Sequence, residues 1–487
     1  MRLIYLILLC GMLNGCLFGP NFKLPPRPAT TGYAPGEMPK RTVSSEGSFG
    51  HAQIFHYGDD LPAKWWSVFH SKPLTRLIEH AMRANPDLKA AAATLRAAQE
   101  ATLAQHAAFF PWAVLSDSPM RKLTAGTYAS DLMSNGYLYS LNVSKLNLSY
   151  APDVFGLTRR QVESYRAMEE SAAFGCEAAR LTLSSRLVLA VIQEGALNAE
   201  LKIVNRCAEL AEKLLARMQK KNIFGAIAQD QVAVQAMLLA QTRATLPPLQ
   251  LAIEQNEHMI ASLSGRWPNA RRRVHFTLQM LTLPSDLPVS LPARLVEQRP
   301  DVRAAQALLH AASAQVGVAT INRLPNITLN ANGGYAPVNY NLKSIPSSLP
   351  MIPLGAPLFW DIGGSIAGTV FDAGALLHKQ RAAMAAYVGI RAQYQRVVLD
   401  AVQQVADTLS VISLDAQALK IAVSERTAAA KVWRITQKKW RLGELSSLDV
   451  LIAEQTYQQA CLHVVQQQAN RFTDTVSLFQ ALGGGTR

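Results

Sequence analysis

Beyond its leader, this chain has no run of 18 or more apolar residues, so no ordinary membrane-spanning helix is expected. Cysteine is scarce, with five residues at 10, 16, 176, 207 and 461. Cys176 and Cys207 fall on one expected helix, ~46 Å apart at 1.5 Å per residue, so buried free thiols are expected rather than a disulfide. Catalytic signatures are absent too: there is no HExxH, no paired CxxC, no GxxxxGK(S/T) and no GxSxG. Gly483-Gly484-Gly485 follows a helix at the end of the chain and reads as a stop, not a phosphate loop. His51 and His56 lie in a polar, proline- and glycine-containing segment, where no metal site is expected. Neither an enzyme, a metal nor a cofactor is expected. The formal charge is +14, yet the basic residues are scattered and the densest cluster, Arg271-Arg272-Arg273, falls in a link. Nucleic acid is therefore not an expected partner.

What the chain does have is an export leader. Arg2 is followed by the apolar stretch LIYLILLCGML and then by Asn14, Gly15 and Cys16, so residues 1–15 read as a signal peptide. Leu13-Asn14-Gly15-Cys16 resembles the bacterial lipobox, which makes Cys16 the lipid attachment site; an ordinary leader with a chance cysteine stays open. Each buried acyl CH₂ contributes ~0.8 kcal/mol to membrane binding. Leu17 rather than aspartate after the cysteine favours the outer membrane.

The chain is also written twice. Asn85-Pro86-Asp87-Leu88 returns as Arg299-Pro300-Asp301-Val302, and Phe110-Pro111 as Leu324-Pro325, both at an offset of 214. Lys220-Lys221 returns as Lys438-Lys439, Gly225 as Gly443 and Leu263-Ser264-Gly265 as Ala481-Leu482-Gly483, all at 218. A unit this large implies a duplicated half rather than a solenoid. The expected division is a signal peptide at 1–15, an extended acylated segment at 16–70, a first repeat at 71–290 and a second at 291–487. Helices are expected near 71–108, 157–221 and 229–263, and again near 292–322, 374–440 and 447–482. The long ones carry apolar residues at alternating spacings of four and three, such as Tyr394, Val398, Ala401 and Val405. That period of 3.5 demands supercoiled packing.

Between the helices, Tyr137, Tyr139, Leu141 and Val143 alternate with polar residues, and Leu146, Leu148 and Tyr150 take the opposite phase. This reads as one bilayer-length strand with a bulge near Lys145. Residues 327–332, 112–119 and 364–371 are the other candidates, giving four strands per chain. Four strands leave open edges that a bilayer does not tolerate, so several chains must pool theirs. A soluble sheet capping a coiled-coil rod is the competing reading.

Together these residues resemble the TolC-like outer-membrane efflux family, in its lipoprotein branch. The match runs through Gly15-Cys16-Leu17-Phe18-Gly19-Pro20-Asn21-Phe22, WWSVFHSKPLTRLI at 65–78, RPDVRAA at 299–305, FDAGALL at 371–377, LGELSSLDVL at 442–451 and ALGGG at 481–485. The resemblance implies a mainly α fold with a transmembrane β-barrel. Duplicated long-helix hairpins would form a periplasmic α-barrel, and four strands per chain a shared twelve-stranded barrel in a homotrimer. It implies a periplasmic adaptor, an inner-membrane pump and outer-membrane lipid as partners, and passive efflux of small molecules. A protein-secretion duct and a non-conducting periplasmic lipoprotein are the alternatives. It further implies a periplasmic gate at Leu448, Asp449 and Ile452, and adaptor contacts at Gly225, Gly443, Ser446 and Ser447. Ile452 stands where the family often has a second acid, which implies a more apolar constriction.

Overall fold

The computed structural model describes residues 18–26, 32–33, 36, 38–123, 138–269, 274–336, 338–340 and 358–485. The leader, the lipid site Cys16, Tyr137 and Arg271-Arg272-Arg273 lie outside the described residues. In chain order the elements are β1 (Ile54–Tyr57), α1 (Lys72–Ala84), α2 (Pro86–His106), β2 (Trp112–Leu123), β3 (Leu138–Tyr150), α3 (Leu157–Ile223), α4 (Gln229–Ala244) and α5 (Leu246–Leu263). The second half gives β4 (Asp286–Val289), α6 (Pro292–Gln298), α7 (Pro300–Ile321), β5 (Asn326–Tyr335), β6 (Val338–Tyr340), β7 (Leu358–Ala367), α8 (Ala375–Arg441) and α9 (Ser447–Ala481). The duplication is therefore real at the level of elements, and α3 and α8 are each 67 residues long.

Prolines divide three of the expected helices. Pro86 and Pro300 cannot donate to the preceding turn, so the helices expected at 71–108 and 292–322 are each two helices. Pro247 and Pro248 likewise split the returning helix of the first repeat at Thr245, whereas its counterpart α9 lacks proline and runs unbroken for 35 residues. Along α8 the stripe Tyr394, Ala401, Val405, Leu409, Ile412, Ala416, Leu419 and Val423 is buried, which keeps the expected spacing of three and four. Among the described residues one helix, α8, holds an 18-residue window with a mean hydropathy of 1.3, apolar enough by length and composition alone to span a bilayer. The window is part of a 67-residue helix whose apolar seam packs on α9, as Leu419, Ala422 and Val423 do on Val464.

The chain forms two compact units, and each draws on both repeats. One takes the described residues of 18–23, 97–169 and 307–391, and contains the large antiparallel sheet in the order β2-β3-β5-β7. β6 continues β5 along β3 in the same register. The bulge expected near Lys145 is absent, because Lys145 pairs with Ser116 on one side and Gly334 on the other without interruption. The change of phase is chemical: the pleat continues while the apolar residues change face. The last strand is 358–367 rather than 364–371, because its ladder with β5 ends at Asn326 and Ala367, where the next partner, Pro325, has no amide to donate, and Asp372 beyond it precedes α8. The Asp372 carboxylate accepts from the Gly374 and Leu376 amides at 2.9 and 2.7 Å and caps α8. These contacts hold the Asp372 carboxyl below its usual range, the Leu376 amide contributing most.

The other unit comprises 24–96, 170–306 and 392–487. Its parallel pair β1-β4 was not expected, because four-residue strands carry too little alternation to be recognised. Its core is aromatic: Trp65 meets Phe69 and Phe479 edge-on, and Phe69 also lies against Phe472. That contact set accounts for the WWSVF motif. Cys176 and Cys207 are buried free thiols.

Candidate functional site

In the sheet, register sorts the side chains by chemistry. Ile327, Leu329 and Ala331 pair with Ile366, Gly364 and Ile362, so they share one face with Leu358 and Trp360. Trp360, Ile362 and Ile366 are at least three-quarters exposed. The opposite face is polar, with Thr328, Asn330 and Asn332 paired to Ser365, Gly363 and Asp361. Asn332 Nδ2 donates to Asp361 Oδ1 at 2.9 Å. Ten residues in β5 and β7 and more in β2 and β3 suffice to cross a bilayer. Among the described residues, β2 and β7 each leave one edge without a partner strand.

The long helices end on glycine for a geometric reason. Gly225 has φ +69° and Gly443 φ +82°, a left-handed conformation that costs any side-chain-bearing residue roughly 1 kcal/mol or more. Around them the Ala226 amide reaches back to the Lys221 carbonyl at 2.9 Å, and Glu444 to Lys439 at 3.0 Å. These are matching helix stops. A Cβ added at either glycine would meet nothing within 4 Å, so both turns present open surface. Ile223, Phe224 and Leu442 beside them are 74% exposed or more. Sequence reasoning passed over these three apolar side chains, although their place next to the turn glycines was a signal.

Ser446 caps α9. Its Oγ accepts from the Leu448 amide at 3.2 Å, while Asp449 Oδ2 accepts from the Ser446 amide at 2.8 Å. The Ser446 hydroxyl first, then its amide, hold the Asp449 carboxyl below the usual aspartate value. Ser447 opens the helix. In the first repeat Ala228 takes the capping position and offers no side-chain bond.

The expected gate residues diverge in their surroundings. Leu448 packs with Met218 against Leu210, Leu214 and Leu451, which joins α9 to α3. Ile452 is 48% exposed and lines a groove of about 300 Å³ with Val432, Thr436, Leu445 and Asp449. Nearby, Arg206 Nε donates to Glu454 Oε1 at 3.1 Å, and Trp433 stacks on Tyr457 with ring centroids 5.2 Å apart. A larger groove of about 980 Å³ beside Ser44–Glu46 carries Lys420, Lys431, Arg434 and Lys438. These residues look scattered in sequence, but spacings of 11, 3 and 4 put them on one helix face.

The segment after Cys16 is held firmly. Arg160, 1% exposed, donates to the carbonyls of Phe18 and Gly19 at 3.3 Å, to Asn21 Oδ1 at 2.7 Å and to Glu163 Oε2 at 2.7 Å. Phe22 stacks on His310 at 4.5 Å, and His310 Nε2 lies 2.9 Å from Glu163 Oε1. Gly317 lies against Arg160, where an added Cβ would stand 3.0 Å from its Cδ.

Comparison with known proteins agrees with this geometry. The chain is 25% identical over 467 residues to nodulation protein T of Rhizobium leguminosarum bv. trifolii, covering 95% of this chain and 93% of that one. It is 26% identical over 430 residues to the pyoverdine export outer membrane protein OpmQ of Pseudomonas aeruginosa, covering 87% of each. It is 23% identical over 482 residues to the toluene efflux pump outer membrane protein TtgC of Pseudomonas putida, covering 97% and 93%. The solved outer-membrane channel OprN superposes with a TM-score of 0.81 at 25% identity, over 96% of this chain and 99% of that one. VceC of Vibrio cholerae gives 0.74 at 25% identity over 87% and 99%. The family profile described as outer membrane efflux protein matches residues 77–266 and 291–484, and the chain belongs to that family.

Proposed function

We propose that three copies of this chain pool their strands into one twelve-stranded barrel in the outer membrane, ring their long helices around a periplasmic tunnel, and form a passive exit duct for small molecules. The carrying observation is the sheet β2-β3-β5-β7, with an apolar face, a polar face and open edges among the described residues. A bilayer has no water to satisfy an open edge, and spanning barrels need eight strands or more. Neighbouring copies supply the missing partners. Small-molecule cargo is supported by relatives such as TtgC, whose name specifies toluene efflux.

In this reading the signal peptide at 1–15 is removed and a covalent lipid on Cys16 is the one attached group. Arg160 fixes the segment that follows it. The turns at Gly225 and Gly443 meet a periplasmic adaptor, with Ser446 and Ser447 among the contacts, because small residues and the exposed Ile223, Phe224 and Leu442 admit a helical partner. An inner-membrane pump supplies the energy. Leu448, Asp449 and Ile452 line the periplasmic constriction, which Ile452 makes less acidic.

The experiment is outer-membrane fractionation followed by planar-bilayer recording of the purified protein. Heat-sensitive trimers giving discrete conductance steps are expected, and Ile452→Asp should change the conductance of the closed state. Trimers that never conduct would instead support the non-conducting lipoprotein.

A further inference from the structure

Away from the turns and the sheet, three residues from three separate elements meet. Glu194 stands on α3, Glu257 on α5, and His275 on the extended stretch before β4. Glu194 has a side chain with 0% exposure, Glu257 is 36% exposed and His275 66%. The stretch bearing His275 is not loosely placed. Phe276 and Leu278 beyond it are each 2% exposed, and Gly195 admits the backbone at Leu278, whose nitrogen would lie 2.8 Å from an added Cβ. The chain thus presses against α3 one residue beyond Glu194, while His275 closes over the carboxylates from the solvent side.

The spacing decides between two readings. His275 Nδ1 lies 3.5 Å from Glu194 Oε1 and 3.6 Å from Glu257 Oε1. A charge-assisted hydrogen bond would draw the nitrogen to about 2.7–2.9 Å of one oxygen. The two near-equal nitrogen–oxygen distances instead match two edges of a tetrahedron, roughly 3.4 Å for ligand bonds of about 2.0–2.1 Å. The three ligand atoms lie within 4.8 Å of one another, so closing on an ion asks a rotamer adjustment of the part-exposed Glu257. Two carboxylates and an imidazole with one position open to solvent form a donor set for a borderline divalent ion, above all Zn²⁺, and a poor one for Mg²⁺, which demands octahedral oxygen ligands.

We infer that Glu194, Glu257 and His275 form a divalent transition-metal site, of the zinc type, that staples α3, α5 and the stretch before β4. Its ligands are spread over 82 positions with no motif, which is why the sequence led to the expectation of no metal. The ion would sit in the wall of the subunit, where it stabilises the protein without taking part in transport.

The test uses tag-free, full-length protein in detergent, freed of metal by chelation. Calorimetric titration with Zn²⁺ should give one site per chain that millimolar Mg²⁺ does not occupy, and Co²⁺ should give the visible bands of tetrahedral coordination. His275→Ala, which alters an exposed side chain, should weaken Zn²⁺ binding at least tenfold and remove the zinc-dependent rise in melting temperature. Glu194→Gln should do the same, and its folding is checked by circular dichroism. Absence of Zn²⁺ binding, octahedral Co²⁺ spectra, or full binding retained by His275→Ala would overturn the assignment.

Discussion

Arg299 Nη1 donates to the carbonyl of Ala481 at 2.8 Å, closing the second repeat on its own last helical residue. Asn85 does the same in the first, donating through Nδ2 to the carbonyl of Leu263 at 3.0 Å. Both carbonyls belong to helix ends that have no partner within the helix. Two different side chains thus perform one task at equivalent places, and the residue before each proline locks its repeat.

Loss of this lock is measurable. Arg299 is 6% exposed and also binds Asp301 and Gln404. Arg299→Met should cost roughly 2–3 kcal/mol, the range for buried hydrogen bonds to a charged group, whereas Asn85→Ala should cost about 1–2 kcal/mol. Thermal or denaturant unfolding of the detergent-solubilised protein checks the order, with the arginine variant weaker.

The cap of α9 carries a pH signature. Ser446→Ala should cost about 1 kcal/mol locally. Asp449 has a folded pKa below its unfolded one, so its contribution is present above the ordinary aspartate value and lost as pH falls through the lower folded value. Hydrogen-exchange protection factors in the first turn of α9, corrected for the intrinsic exchange rate at each pH, should therefore fall on acidification in the wild type, and Asp449→Asn should remove that acid dependence.

An opposite sign is expected on the far part of the same helix. Burial first, and the Asp415 carboxyl next, raise Asp474 to about 8, with Arg471 acting against them. Its folded value lies above the unfolded one, so its contribution is complete below the ordinary aspartate value and is lost as pH rises toward about 8. Asp474→Asn should hold its melting temperature between about pH 4 and about pH 8, where the wild type declines.

Arg160 secures the residues that follow the lipid site. Arg160→Met removes its bonds to Phe18, Gly19 and Asn21 while keeping much of the apolar stem. Proteolysis within residues 18–26 should become at least tenfold faster, with cleavage elsewhere unchanged.

Much of this architecture was readable because periodicity and repetition are long-range signals. The 3.5-residue stripe of α8 extends over many turns, and the offsets of 214 and 218 bring separate landmarks into one register. Short or tertiary features were not readable. The β1-β4 pair has four residues per strand, and the face change at Lys145 looked like a bulge because alternation reports side chains rather than pairing. At the turns, the glycines were visible as breaks. Ser446 and Asp449 were read for contact and gating, and their reciprocal capping became evident in the geometry. The metal-type cluster needed three elements brought together, which no local pattern encodes.

The central claim is that one chain carries too few strands to seal itself and works as a closed ring. One cysteine on the outer edge of β2 and one on the outer edge of β7 of the same chain, then cross-linked in intact cells, test it directly. The account predicts a β2-to-β7 bond between copies, with a ladder ending at three chains, in protein that gives discrete conductance steps. A cross-link formed within one chain, or a protein that stays single and never conducts, would contradict it.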